Sequence, residues 1–119
     1  MIASSIYEKY EYLVDNIYKE CLDNGYDKQG AAGKLKYELE PMATKVEEKI
    51  CLYFELCYLY AKEDLLDSFL HAYESLRRTS INKDLFSFIN VKNERNVHYK
   101  NLILKRNKIV GYEKNYIVK

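Results

Sequence analysis

The chain has few of the residues that usually carry catalysis or form a disulfide framework. It contains two histidines, three cysteines, one proline and four glycines. The odd number of cysteines, each inside an apolar helical pattern, favours core thiols in a reducing compartment over disulfides. The first residues carry neither a basic region nor a long apolar run, so we expect no secretory signal.

The motifs of common cofactor and metal sites are also missing. Neither His71 nor His98 has a partner at zinc-ligand spacing, and Cys51 and Cys57 face different sides of a helix. No phosphate-binding loop, dinucleotide glycine pattern or calcium loop is present. We therefore expect a protein that is not an enzyme, with no catalytic residues, metal or cofactor.

One short pattern keeps a catalytic alternative open. Arg95 and His98 resemble the arginine-to-histidine signature of small helical ribonucleases. Only two residues separate them here, which is fewer than is typical of that family. A small ribonuclease is therefore the lesser hypothesis, and an absence of RNA cleavage by the purified protein would remove it.

The longest apolar run lies in mid-chain, at residues 50–61. Only Glu55 interrupts it, and charged residues flank it on both sides. A helix that is apolar on every side is either central to a core or lies in a membrane, and a membrane span needs about 20 apolar residues. The run is too short for a span, so it predicts the buried middle of a helical core.

Spacing and end signals predict two helices before this run. The first covers about residues 5–24, and Ser5 with Glu8 forms a capping-box signature at its start. The second covers residues 27–39 with Asp27 as its cap. Polar and apolar residues alternate in its second half, so a strand is the alternative there.

Two further helices follow. The third is expected to begin with Pro41 in its first turn and to run through about residue 61. Asp64 and Asp67 mark the start of the fourth, which ends with two arginines in its last turn. Because no glycine or proline lies between them, one kinked helix is an alternative. The inner stripe of the third helix is predicted at Met42, Val46, Ile50, Tyr53, Cys57 and Tyr60.

After residue 79 the pattern is weaker. Ser80 or Asn82 could cap a short helix that contains residues 85–89. Three β-like runs follow, which leaves a small hairpin and a poorly ordered basic tail as alternatives. The runs are at residues 102–104, 109–110 and 116–118.

These features predict a mostly α fold, an antiparallel bundle of four to five helices, with a small C-terminal β-hairpin as one alternative. We expect a single domain over residues 1–119, divided into an acidic helical bundle (5–79) and a basic C-terminal segment (80–119). Residues 1–74 hold 8 lysines and 15 acidic residues, whereas residues 75–119 hold 11 basic and 3 acidic residues, including every arginine. Such asymmetry is typical of an interaction surface, although the two parts could simply neutralise each other.

Two partner-binding surfaces are predicted from this asymmetry. The acidic one could cover a basic partner, and the basic one, with Tyr112 near it, could contact phosphates and stack on bases or dock on an acidic protein. The simplest interpretation of the carboxylates of the first four helices, including Glu55, is a solvated face. Thirteen tyrosines also favour interfaces, and those at 12, 26 and 58 fall on polar faces. The candidate partner-binding residues are Glu47, Glu48, Glu63, Asp64, Arg95, Tyr99, Lys100, Lys105, Arg106 and Lys108.

Three segments resemble one known family. KYELEP (36–41), LYF (52–54) and LRRT (76–79) are similar to parts of the immunity proteins of pediocin-like bacteriocins. The resemblance implies a cytosolic antiparallel four-helix bundle that protects its host from a toxin and has no active site. Residues 85–119 depart from the family by being longer and more basic.

We therefore expect a cytoplasmic immunity or inhibitor protein of bacterial or phage origin that occludes a toxin or nuclease. A phage-encoded inhibitor of a host defence nuclease and a small nucleic-acid-binding regulator are the alternatives.

Overall fold

A computed structural model describes residues 2–80, 85–89 and 97–116, without the side chains of residues 97–99. This part of the chain is mostly helical and contains no strand. One short 3₁₀ turn precedes the third α-helix. The elements are α1 (Ser4–Asp23), α2 (Lys28–Leu39), the 3₁₀ turn (Glu40–Met42), α3 (Val46–Lys62), α4 (Leu66–Thr79) and α5 (Val97–Tyr116).

Helix α3 is the centre of the fold, as the apolar run predicts. It packs against each of the other four α-helices. Phe54 and Cys57 are fully buried, and Tyr53 is half-buried. The ring of Phe54 also meets Phe88 edge to face, with the ring centroids 5.7 Å apart. The predicted stripe fails only at its start, where Met42 and Val46 are exposed because α3 begins at Val46.

The joint between α1 and α2 has a recognisable capping signal at each end. The Asp27 side chain accepts a hydrogen bond from the Gly30 backbone N–H at 2.7 Å, which confirms the cap of α2. At the end of α1, Gly25 has φ 94°, and the backbone N–H of Tyr26 donates to the Cys21 carbonyl. This is a Schellman ending, in which glycine takes the left-handed position. The capping box at Ser5 is wrong, because α1 starts one residue earlier with Ala3 as its N-cap and no side-chain cap.

The joint before α3 differs from the prediction, and the joint after it agrees in separating two helices but has Asp64 in the chain reversal and not at the start of α4. Pro41 lies in the 3₁₀ turn and not in the first turn of α3. Helices α3 and α4 are separate, because Asp64 has φ 58° and reverses the chain. The Leu65 backbone N–H then donates to the Tyr60 carbonyl at 2.9 Å, a second Schellman ending with aspartate in the glycine position. Arg77 lies in the last turn of α4, as expected.

The C-terminal hairpin is not supported, because residues 97–116 form helix α5. Leu102, Lys105, Ile109 and Tyr112 are buried at spacings of three and four, which is one face of a helix. This face packs on α3. The expected short helix at residues 85–89 is a turn and a bend instead, and its proposed cap Asn82 lies outside the described residues. Over the described ranges, no helix combines the length and apolar character that crossing a bilayer requires.

Candidate functional site

The first two acidic residues of the predicted surface lie in the first turn of α3. Glu47 is exposed to solvent. Glu48 is half-buried, accepts a hydrogen bond from the Tyr10 hydroxyl at 2.8 Å, and lies 3.7 Å from the Lys9 ammonium. Glu48 therefore helps to attach α1 to α3, while Glu47 is available to a partner.

The other two acidic residues lie where α3 ends. Glu63 pairs with Lys28 across 3.5 Å, so it links α3 to the start of α2. Asp64 accepts a hydrogen bond from the Tyr112 hydroxyl at 2.8 Å, which ties α5 to the same corner. Both carboxylates link helices. Glu63 is paired with a cation, whereas Asp64 is exposed and binds a neutral hydroxyl, which leaves its charge unpaired by this contact.

Lys105 does not lie on an exposed basic surface. Its ammonium contacts both carboxylate oxygens of Glu55 at 2.9 Å and also donates to Glu11. Its side chain is 6% exposed and that of Glu55 is 2% exposed. Asn101 donates to the same Glu11 carboxylate at 2.9 Å, and the Tyr58 ring lies 5.2 Å from the Lys105 ammonium. The expectation that Glu55 lies on a solvated face is therefore wrong, because this cluster joins α1, α3 and α5 inside the protein.

The electrostatics of this cluster are dominated by burial. Burial raises the pKa of Glu55 to about 7, although Lys105 opposes the shift, and Glu11 and Asp15 add to it. Burial alone would lower the pKa of Lys105, but Glu55 and Glu11 outweigh it, so the pKa stays above its usual value. One ammonium is shared by two carboxylates. The shared ammonium stays charged at neutral pH, while Glu55 is close to its titration midpoint.

The remaining basic candidates are distributed along α5. Lys100 and Lys108 are exposed, and Arg106 is half-buried beside Asn107. Tyr112, which the sequence places beside the basic residues, is buried, and its ring packs edge to face on that of Phe69 at 4.7 Å. It is therefore not available to stack on bases. Arg95 and the side chains of Tyr99 and His98 lie outside the described part of the chain.

A surface depression that the sequence did not predict lies beside the end of α2. It has a volume of about 670 Å³ and is mostly apolar in lining. Tyr37 is 78% exposed at its edge, and Pro41 is also exposed. The lining residues are Gly33, Lys36, Tyr37, Glu38, Glu40 and Pro41.

A second depression, of about 280 Å³, lies between α2 and α4. Gln29 donates to the Ser68 hydroxyl across it at 3.3 Å, and the Tyr60 hydroxyl donates to the Ala32 carbonyl at its floor. The lining of this depression is also mostly apolar. Its lining residues are Gln29, Ala32, Gly33, Lys36, Tyr60, Asp67, Ser68 and His71.

Gly33 and Lys36 line both depressions, so the two adjoin each other beside α2. An ideal Cβ built on Gly33 meets no atom within 4 Å, so the space above this residue is open. Gly33 and Tyr37 were the sequence features that could have indicated an open surface on α2. The alternating polarity of this helix does not show which other helix packs beside it.

The described residues do not assemble a recognisable catalytic centre. All three cysteines are buried, and burial raises the pKa of the Cys51 thiol to about 12, which is unfavourable for a nucleophile. No group of three or more metal-ligating side chains occurs in the ranges that the structure covers.

Comparisons with protein-family models, with curated proteins and with solved structures find no match for this chain.

Proposed function

We propose that this protein is a non-enzymatic immunity or inhibitor protein that neutralises a partner toxin or nuclease by occlusion. The observation that carries the proposal is the exposure of large apolar and aromatic side chains on an otherwise well-packed fold. Tyr37, Tyr12 and Met42 are all exposed, although the core beneath them is filled. Tyrosine is favoured at interfaces because it offers a large contact area with little loss of conformational entropy.

The proposal includes the finer arrangement that the sequence predicts. Five helices in an antiparallel bundle would present a rigid surface, so that little conformational entropy is lost when a partner docks. Such a protein would act in the cytoplasm of a bacterium, or on a host nuclease if a phage encodes it. The resemblance of residues 36–79 to bacteriocin immunity proteins supports the same class of function.

Survival under toxin expression tests the proposal. Bacterial cells that express this protein would be challenged with single inducible toxins from a panel of nuclease toxins and membrane-permeabilising bacteriocins. We expect protection against one member of the panel, and a stable complex of the two purified proteins in size-exclusion chromatography. Protection without a complex, or RNA cleavage by the purified protein, would contradict occlusion. Genes beside this one would suggest which toxins to include.

A second candidate function has its own observation. The outer face of α5 carries Lys100, Lys108 and Lys114, all exposed, around Leu104, which is 68% exposed. A basic helical face of this kind suits phosphate contacts, so a nucleic-acid-binding regulator is the alternative. Two residues that the sequence predicts for this basic surface, Lys105 and Tyr112, are buried in the core and cannot contact nucleic acid.

A further inference from the structure

The opposite charges of the two parts of the chain are mostly not paired with each other across the fold. Among the described residues, Lys105 is the one cation of α5 that pairs with carboxylates of the acidic helices. The other ion pairs are made within the part of the chain before α5. Acidic and basic side chains therefore remain on separate outer faces, although the net charge of the chain is only +1.

One of these outer faces is a basic strip on α5. Lys100, Leu104 and Lys108 are exposed at intervals of four residues, so they lie along one side of the helix. Leu104 is 68% exposed, although its side chain is large and apolar. Over the ranges that the structure describes, neither lysine pairs with a carboxylate.

An acidic strip of similar design lies on α1. Glu8, Tyr12 and Asp15 are exposed at intervals of four and three residues, which is again one side of a helix. Tyr12 is 66% exposed. Neither carboxylate has an ion-pair partner in the described part of the chain. Each strip therefore has one large side chain between two like charges.

The two strips lie on either side of one seam. The Glu11 carboxylate accepts hydrogen bonds from Asn101 at 2.9 Å and from Lys105, so α1 and α5 meet at this point. Tyr12 follows Glu11 directly, and Leu104 lies between Asn101 and Lys105 in the sequence. Tyr12 and Leu104 are therefore at nearly the same level along the seam.

The charges of the strips also match in spacing. A helix rises about 1.5 Å per residue, so Lys100 and Lys108 lie about 6 Å on either side of Leu104. Glu8 and Asp15 lie about 6 Å and about 4.5 Å on either side of Tyr12. The match holds for parallel and for antiparallel helices, because the two charges within each strip have the same sign.

We infer that this seam is the interface of a homodimer, in which the acidic strip of each copy packs on the basic strip of the other. A twofold axis along the seam places α1 of one copy against α5 of the second, and symmetry repeats the contact with the roles exchanged. Tyr12 of one copy then meets Leu104 of the other, with an ion pair on either side. The small net charge means that two copies do not repel each other. This inference goes beyond the proposed function and does not depend on it.

The concentration dependence of the wild-type protein is the first test. The strips are short, so we expect a weak dimer with a dissociation constant of about 10–100 µM. Sedimentation velocity over about 5–500 µM should show a reversible monomer–dimer equilibrium. The dimer should weaken by about tenfold in about 0.5 M salt, because exposed ion pairs are screened. Tyr12→Ser should weaken it by about fivefold or more.

Charge reversal then identifies which strips meet. One double variant is Glu8→Lys with Asp15→Lys, and the other is Lys100→Glu with Lys108→Glu. Each variant has like charges on both of its strips, so each alone should be monomeric over the whole concentration range. An equimolar mixture should form a heterodimer with about the wild-type affinity, because each strip again faces the opposite charge.

A matched control separates the strips from net charge. Glu47→Lys with Asp67→Lys changes the net charge as much as the α1 variant does, at exposed positions outside the strips. It should still form a homodimer, within about threefold of the wild-type affinity. Mixed with the variant that has Lys100→Glu and Lys108→Glu, it should not form a heterodimer of wild-type affinity, although the net charges equal those of the first mixture.

Three results would overturn the inference. The first is a wild-type protein that stays monomeric over the whole range, which requires no variant. The second is a homodimer that persists in both charge-reversed variants. The third is a mixture of those two variants that remains monomeric while circular dichroism shows that both are folded.

Discussion

The ammonium of Lys105 on α5 lies 2.9 Å from each carboxylate oxygen of Glu55 on α3, and both residues are buried. The same ammonium reaches Glu11 on α1, so one lysine links three helices. Removing one partner of a buried ion pair is costly because the remaining charge is then isolated from water. This cluster therefore helps to place the basic C-terminal helix on the acidic helices, together with the buried Leu102, Ile109 and Tyr112.

Replacing Lys105 by methionine should destabilise the protein strongly. We expect a loss of about 3–5 kcal/mol in the free energy of unfolding at pH 8, above the Glu55 pKa of about 7, because Glu55 and Glu11 lose their cation. The control is Lys108→Met on the exposed side of α5, which should change stability by less than about 0.5 kcal/mol. Urea unfolding of both variants measures the difference. Equal costs would mean that α5 does not pack through Lys105.

The stability of the protein should also depend on pH through Glu55. The pKa of this carboxyl is raised from 4.5 to about 7 in the folded protein. The folded state therefore binds the proton more tightly, so the stabilisation is complete below about pH 4.5 and is lost as pH rises through about 7. Between pH 5 and pH 8 the wild type should lose up to about 3 kcal/mol relative to Glu55→Gln.

The comparison with Glu55→Gln removes the effect of other titrating groups that the two proteins share. Urea unfolding at several pH values gives the difference directly. Glu47→Gln, on the exposed first turn of the same helix, is the control and should show no such trend. A difference that stays constant with pH would show that Glu55 is ionised in the core throughout this range.

The Glu55–Lys105 pair also shows which part of the fold could be predicted from the sequence and which could not. The central helix was predictable because its apolar residues cover all faces, and α2 because Asp27 marks its start. Helix α5 was not predictable, because its buried face includes a charged residue. This face consists of Leu102, Lys105, Ile109 and Tyr112. A lysine in the second position breaks the apolar periodicity, and the short apolar runs on either side then resemble strands.

The candidate site was hidden for a related reason. Glu55 and Lys105 each look like surface residues when they are read alone, and only the packing of α5 on α3 shows that they are partners. The depression between α2 and α4 was likewise not predictable, because the sequence does not show which side of α2 faces α4. Gly33 and Ser68 are far apart in the sequence, and no periodicity in either helix indicates that they line one surface.

The reversal between α3 and α4 gives a prediction about Asp64. This residue has φ 58°, a backbone conformation that glycine, asparagine and aspartate adopt more readily than other residues, and its carboxylate accepts from the Tyr112 hydroxyl at 2.8 Å. Asp64→Ala should lose both the conformational tolerance and the hydrogen bond, at a cost of about 2 kcal/mol. Asp64→Gly should be less costly by about 1 kcal/mol, because glycine adopts positive φ freely.

The Tyr112→Phe background separates the two contributions. Without the hydroxyl, Asp64→Gly should be neutral or stabilising, while Asp64→Ala should still be destabilising. Thermal or urea unfolding of the five variants gives the coupling energy between the two residues. If alanine and glycine are equivalent at residue 64, the left-handed backbone conformation contributes nothing to the stability of this joint.

The outer face of α5 gives the prediction that decides between the two candidate functions. With Lys105 and Tyr112 in the core, three exposed lysines and Leu104 remain on that face. We expect only non-specific binding to single-stranded or duplex DNA or to RNA, with dissociation constants no tighter than about 1 µM at physiological salt. Fluorescence anisotropy with labelled oligonucleotides at 50 and 200 mM salt measures this binding.

The double variant Lys100→Glu with Lys108→Glu should abolish the residual binding and leave stability unchanged, since both side chains are exposed. Lys105→Glu would not be a fair test, because it places a third carboxylate beside Glu55 and Glu11. Sub-micromolar binding that disappears in the double variant would instead make nucleic acid the ligand of this face.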